Sequence, residues 1–221
     1  MTTVTRWWWI RHAPVTCHGG RIYGHDDLAA DCSDAALFTG LATALPADAV
    51  WVASQLKRTH QTAEAIGAAI RAANGLDPKL PALVIEPGLA EQHFGEWQGL
   101  TVEELRARRD GAWHRFWLAP AHEAPPGGES FEQVVARVAD TVDRLTDAYR
   151  GRDIVAVAHG GSIRAALAMA LGIEAERALA FSIDNCSLTR LDHIGTPDPG
   201  ATHGSWRVTT VNLHPKAPLL H

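Results

Sequence analysis

The chain has 221 residues, 46% of them apolar and 20% charged, with a formal net charge of -5. That length and balance suit one folded domain with a buried core, and the negative sign offers no basic face for nucleic acid or anionic lipid. The cysteines, at 17, 32 and 186, are odd in number and contain no C-x-x-C, so neither a disulfide framework nor a zinc site is implied.

Val4 to Ile10 is a short, nearly continuous apolar run, which predicts a central strand covered on both faces. Its oily part is too short for a signal peptide, and no small-residue cleavage site follows. Thr16 to Asp34 lacks periodicity and reads as a loop. AVWVA at 49–53 predicts a second buried strand, followed by a helical pattern from Thr59 to Ala73. Two capping boxes come next, Thr101 with Glu104 and Ser130 with Gln133. A second candidate loop, Ala119 to Gly128, lies between them. After Ser130 the residues Phe131, Val134, Val135, Val138, Val142, Leu145 and Tyr149 fall on one helical stripe, with Gly151 as the stop.

IVAVA at 154–158 predicts a third buried strand, leading into a helix from Ser162 to Leu171. His159, Ser162 and Arg164 interrupt this stretch, so it is no membrane span, and a cytoplasmic protein is expected. Two further strands, Ser187 to His193 and Trp206 to Leu213, flank the turn-rich GTPDPGATHG. The alternation of buried strand and helix predicts one α/β domain over residues 1–221. Its central sheet is mostly parallel, with helices on both faces.

Ligands of open α/β sheets bind beyond the carboxyl ends of the strands. Three such ends supply Arg11 and His12; Ser54, Lys57 and Arg58; and His159 with Gly160 and Gly161. These residues are cationic, able to become so, or small enough to admit a ligand to the backbone. Together they describe a pocket for a compact anion, with phosphate the natural candidate. The tryptophans of the first strand are read as core that holds Arg11 and His12 rigidly. The twelve histidines are scattered and H-E-x-x-H is absent, so no metal is expected.

Five segments now stand in order: Arg11-His12-Ala13, SQLKRTHQTA (Ser54 to Ala63), LAEQHFGEWQGL (Leu89 to Leu100), PGGES (Pro126 to Ser130) and HGG at 159–161. In sequence and spacing the chain resembles the histidine phosphatase superfamily, which includes phosphoglycerate mutases and small phosphomonoesterases. The resemblance implies a phosphoglycerate mutase-like fold and no cofactor. It makes His12 a nucleophile that forms a phosphohistidine, with Arg11, Arg58 and His159 binding the phosphoryl oxygens. It makes Glu91 the acid that protonates the leaving oxygen and then the base for water, with Glu96 as a nearby rival. Gly160 would let substrate approach the backbone. Glu129 belongs to structure or to the loop.

Departures from the family pattern narrow the substrate. Ala13, Pro14 and Val15 replace the usual residues after the first histidine, and His18 stands where an asparagine is common. His18 is either a substitute phosphate donor or a loop residue. Gln92 occupies the slot of the arginine that helps mutases hold a carboxylate, and the mutases' basic, proline-rich segment is missing between Arg109 and Pro125. The phosphatase branch is favoured, including enzymes like α-ribazole-5'-phosphate phosphatase, and the partner is a small phosphate ester. A phosphoglycerate mutase and a non-catalytic phosphate-binding regulator remain as alternatives. No C-x5-R, G-x-x-x-x-G-K-[ST] or G-x-S-x-G segment competes. Specificity is expected from the 16–34 and 113–128 loops, with Tyr23, His25, Trp113, His114, Arg115 and Trp117 receiving a base or sugar or packing on the domain. Oligomeric state is not legible.

Overall fold

The computed structural model describes residues 3–75, 82–195 and 204–214. Strand β1 spans Val4–Arg11 and is followed by α1 (Ala35–Ala44), β2 (Val50–Ala53), α2 (Lys57–Asn74) and β3 (Leu83–Ile85). Then come α3 (Val102–Arg108), α4 (Phe131–Ala148), β4 (Asp153–Ala158), α5 (Gly160–Leu171), α6 (Ala175–Ala178), β5 (Leu188–Ile194) and β6 (Ser205–Leu213). The strands form one sheet in the order β3-β2-β4-β1-β5-β6. The pairings β3–β2, β2–β4 and β4–β1 are parallel, while β5 and β6 extend the sheet antiparallel.

β1 has neighbours on both sides and helices over both faces, which explains its run of apolar residues. Trp7 and Trp9 point to one face, their rings stacked with centroids 5.1 Å apart, in a cluster with Phe131, Val138 and Leu145 of α4. Ile10 points to the other face and packs with Phe38, Leu41 and Ile66 of α1 and α2. Burying each of the two tryptophans contributes roughly 4 kcal/mol of apolar transfer. Trp8 is only half-buried. Its indole donates to Asp153 Oδ1 at 2.9 Å and the Arg190 guanidinium lies over its ring, so it covers the edge of a core rather than filling one.

Both capping boxes form. Ser130 accepts from the Gln133 amide at 3.2 Å while Gln133 Oε1 accepts from the Ser130 amide at 2.7 Å. Thr101 and Glu104 do the same at the start of α3. Helix α2 is longer than its sequence pattern, beginning at Lys57 and ending on Gly75 with φ 64°.

Three elements went unread in the sequence. Helix α1 buries only Phe38 and Leu41 among small residues, too sparse for a 3.6-residue stripe. β3 has three residues and among the described residues pairs only with β2, and α6 has four residues. Of the turn-rich stretch at 195–204, residues 196–203 lie outside the described residues. No helix among the described residues is long and apolar enough to cross a membrane.

Candidate active site

The parallel register aligns the carboxyl ends of β2, β4 and β1, with Ala53 opposite Val157 and Arg11 opposite Ala158. The residues that follow, Ser54, His159 and His12, are therefore neighbours. His12 continues the ladder by donating its amide to the Ala158 carbonyl at 2.9 Å, and its own carbonyl accepts from Asn185 Nδ2 at 2.8 Å. The His12 ring is buried, with Nδ1 donating to the Ala13 carbonyl at 2.7 Å. That bond selects the tautomer whose Nε2 lone pair is open to a ligand. Burial holds the His12 pKa well below the usual histidine value, assisted by the Arg58 and Arg11 guanidiniums.

Arg58, in the first turn of α2, has no exposed surface. Its Nη1 donates to the Asp26 carbonyl at 2.8 Å, Nη2 to the Gly24 carbonyl at 2.6 Å and Nε to His159 Nδ1 at 3.3 Å. Two of the five guanidinium protons remain for an anion. His159 is buried 5.2 Å from His12 between ring centroids, and Nε2 bonds Ser54 Oγ at 2.7 Å. Since its Nδ1 accepts from Arg58, the proton sits on Nε2. Burial, the adjacent His12 and Arg58 keep the ring neutral. Arg11 donates through Nη1 to the Ile183 carbonyl at 2.7 Å, whereas its buried Nε has no protein partner.

Glu91 is buried opposite the start of α5. Its Oε1 accepts from the Gly161 amide at 2.9 Å and from the Gln92 amide at 3.0 Å. Glu96, the rival carboxylate, is exposed on a single turn of 3₁₀ helix. Glu129 turns out to be structural: with Arg137 it forms a two-point ion pair, and Arg137 also donates to the carbonyls of Gly88, Ala90 and Glu91. His25 Nε2 donates to the same Glu91 carbonyl at 2.7 Å. The backbone of Glu91 is thus held from two sides.

Gly160 opens α5 against Arg11, and its backbone lies close to the guanidinium of Arg164. Arg164 was missed by sequence reasoning. It lies four residues after Gly160 and so on the same side of the helix. Its Nε donates to the Phe181 carbonyl at 2.8 Å, its guanidinium lies 4.8 Å from the Trp117 ring, and burial lowers its pKa to about 10. Asn185 and Arg137 were likewise unmarked, because their roles are bonds across large sequence gaps.

The structure places His18 away from this cluster. Its Nδ1 bonds the Arg21 carbonyl at 3.2 Å, and its ring meets Tyr23, which in turn lies 6.4 Å from His12. Gln92 is buried, its amide nitrogen donating to the Glu129 carbonyl and its oxygen accepting from Trp117 Nε1. It therefore fastens the 113–118 loop to the irregular segment carrying Glu91. Beside Glu91 a cleft of about 430 Å³ opens, walled by Tyr23, Phe94, Trp113, Phe116 and Trp117. Among the described residues no group of three His, Cys, Asp or Glu side chains is placed to hold a metal ion.

A family model of the histidine phosphatase superfamily (branch 1) matches residues 7–211. The chain belongs to this superfamily. A glucosyl-3-phosphoglycerate phosphatase of Mycobacterium tuberculosis is 32% identical over 170 residues, which are 73% of this chain and 72% of that protein. A bifunctional protein of M. tuberculosis is 36% identical over 138 residues, and there the match spans 62% of this chain but only 35% of the relative's length. Among solved structures, the mycobacterial glucosyl-3-phosphoglycerate phosphatase superposes with a TM-score of 0.77 at 28% identity, covering 96% of this chain and all of the other. An Escherichia coli chain proposed to be an α-ribazole-5'-phosphate phosphatase shares the fold, with a TM-score of 0.74 at 23% identity over 95% of this chain and 97% of its own. This member of the superfamily thus has named phosphatases among its relatives, and it spans only about a third to a half of the length of several curated relatives it matches.

Proposed function

We propose that this histidine phosphatase is a metal-independent phosphomonoesterase that hydrolyses a small phosphate ester through a phosphohistidine on His12. One observation carries the reading: a buried, neutral histidine with Nδ1 tied to the Ala13 carbonyl and arginines on either side. In the first step Nε2 of His12 forms a bond to phosphorus as the ester oxygen leaves, and Glu91 supplies the proton which that oxygen needs. In the second step water attacks the phosphohistidine, Glu91 takes its proton, and inorganic phosphate departs. Arg11 and Arg58, with His159 beside them, bind the phosphoryl oxygens and stabilise charge spread over them in the transition state. Because Glu91 Oε1 is held by two amides, the proton is exchanged at Oε2.

Gln92 favours hydrolysis over mutase chemistry, since it stands where mutases carry an arginine and both ends of its amide are occupied. The relatives nominate glucosyl-3-phosphoglycerate and α-ribazole-5'-phosphate as the first esters to assay. A cytoplasmic site of action belongs to the same proposal, in keeping with three free cysteines.

The test is hydrolysis of p-nitrophenyl phosphate with a chelator present, by the wild type beside His12→Ala. The proposal requires turnover that survives the chelator and falls by orders of magnitude in the variant, together with acid-labile phosphate on the wild-type protein after a rapid quench. An inert wild type, or an equally active variant, overturns it.

A further inference from the structure

Tyr23, Phe94, Trp113, Phe116 and Trp117 surround the cleft beside Glu91, and Phe116 is 55% exposed. An exposed aromatic ring at the mouth of a concave, mostly apolar cleft is the usual setting for a ligand. The cleft meets the anion site at Glu91, the group proposed to protonate the leaving oxygen, so its occupant is the leaving group itself.

The polar groups of the wall narrow the chemistry. Among the described residues its polar side chains are Tyr23, Glu91, Arg106, His114 and Arg115, so Glu91 is its one carboxylate and it holds no asparagine, glutamine, serine or threonine. A sugar's hydroxyls need such acceptors and amides, because buried hydroxyls without partners are costly. What the wall does offer is arginine on aromatic faces: Arg106 lies 5.3 Å from the Trp113 ring and Arg115 lies 5.4 Å from the Phe116 ring. Planar rings and guanidiniums favour a flat, electron-rich ring that can stack on either. A volume of about 430 Å³ accommodates one or two fused rings and their linker to phosphate.

We propose that the leaving group of the physiological substrate bears a planar aromatic ring, seated between Trp113, Phe116 and Trp117. The inference rests on the phosphomonoesterase reading above and adds the substrate class to it. Trp117 is fixed by its bond to Gln92, so it forms a rigid wall, and Trp113 and Phe116 supply the other aromatic faces.

The experiment compares kcat/KM for benzyl phosphate, cyclohexylmethyl phosphate and glucose 6-phosphate. The first two are alike in size and in the basicity of the leaving alkoxide, but only one is flat. Benzyl phosphate should lead cyclohexylmethyl phosphate by about 5- to 10-fold, the value of one or two aromatic contacts, and glucose 6-phosphate by more. Phe116→Ala should shrink the benzyl-to-cyclohexylmethyl ratio toward one, and since Phe116 is largely exposed the variant will fold. Trp113→Leu should do the same. Equal rates for the two matched esters, a preference for glucose 6-phosphate, or a ratio untouched by both variants overturns the inference while leaving the phosphatase reading intact. Absence of turnover on all three esters and on p-nitrophenyl phosphate removes both.

Discussion

Arg58 donates through Nε to Nδ1 of His159 at 3.3 Å, and this bond joins the second and last of the five sequence segments inside the core. It fixes the proton of His159 on Nε2 and leaves two guanidinium protons of Arg58 for an anion. Lysine offers a point charge without the fork, and cannot reach the Gly24 carbonyl, the Asp26 carbonyl and His159 together. Arg58→Lys should therefore lower kcat/KM by about 10²- to 10³-fold, the cost of losing an oriented donor at a developing charge. Steady-state kinetics on p-nitrophenyl phosphate measures it, and a loss under fivefold would show that charge alone suffices.

Two neighbouring glycines separate cleanly. A Cβ on Gly161 would lie 2.2 Å from Glu91 Oε1, whereas one on Gly160 would lie 3.0 Å from the end of the Arg164 side chain, which can shift. Gly161→Ala must displace the Glu91 carboxyl and should lose about 10²-fold or more in kcat, within the range assigned to general acid help. Gly160→Ala should stay within about tenfold of wild type, since only a flexible side-chain end must yield. Circular dichroism and melting curves near wild type in both would confirm that the difference is one of chemistry.

The histidine pair gives a pH prediction. Both His12 and His159 have folded pKa values well below 6.5, with burial the largest cause. Below the unfolded value, the unfolded chain binds protons that the folded chain refuses, so stability falls as pH drops through and below about 6.5 and is fully present above it. Replacing His12 by Gln should flatten the slope of melting temperature between about pH 5 and 6.5. A slope identical to wild type would mean that His12 does not resist protonation in the folded state.

Arg137 tests how the acid is held. It bridges Glu129 to three carbonyls in the 88–91 segment, with both partners largely buried. Arg137→Ala leaves Glu129 unpaired and those carbonyls short of a donor, a cost of about 2–4 kcal/mol. Urea unfolding would read the loss, and kcat should fall with it because one of the two holds on the Glu91 backbone is gone. An unchanged midpoint would show that water replaces the guanidinium without penalty.

Much of the fold was written locally. Apolar runs at β1, β2 and β4, two capping boxes and the stripe of α4 depend on near neighbours, so their periods and caps survive in one dimension. The site was legible to the same extent: His12, Ser54 and His159 each directly follow a strand, and strand ends are where such folds bind ligands. Glu91 could be named only through its motif, since nothing local distinguishes it from Glu96.

What the sequence by itself determined was therefore the strands, the main helices and the residues delivered at the strand ends, because each follows from period, cap or position along the chain. Tertiary structure alone decided that Glu91 is buried while Glu96 is not, that Gln92 ties down Trp117, and that Arg164 joins the site. It also turned His18 into a loop contact and gathered aromatic residues from three segments into one cleft. Those outcomes depend on side chains meeting across dozens of residues, and such meetings are set by strand order and packing, which no local pattern encodes.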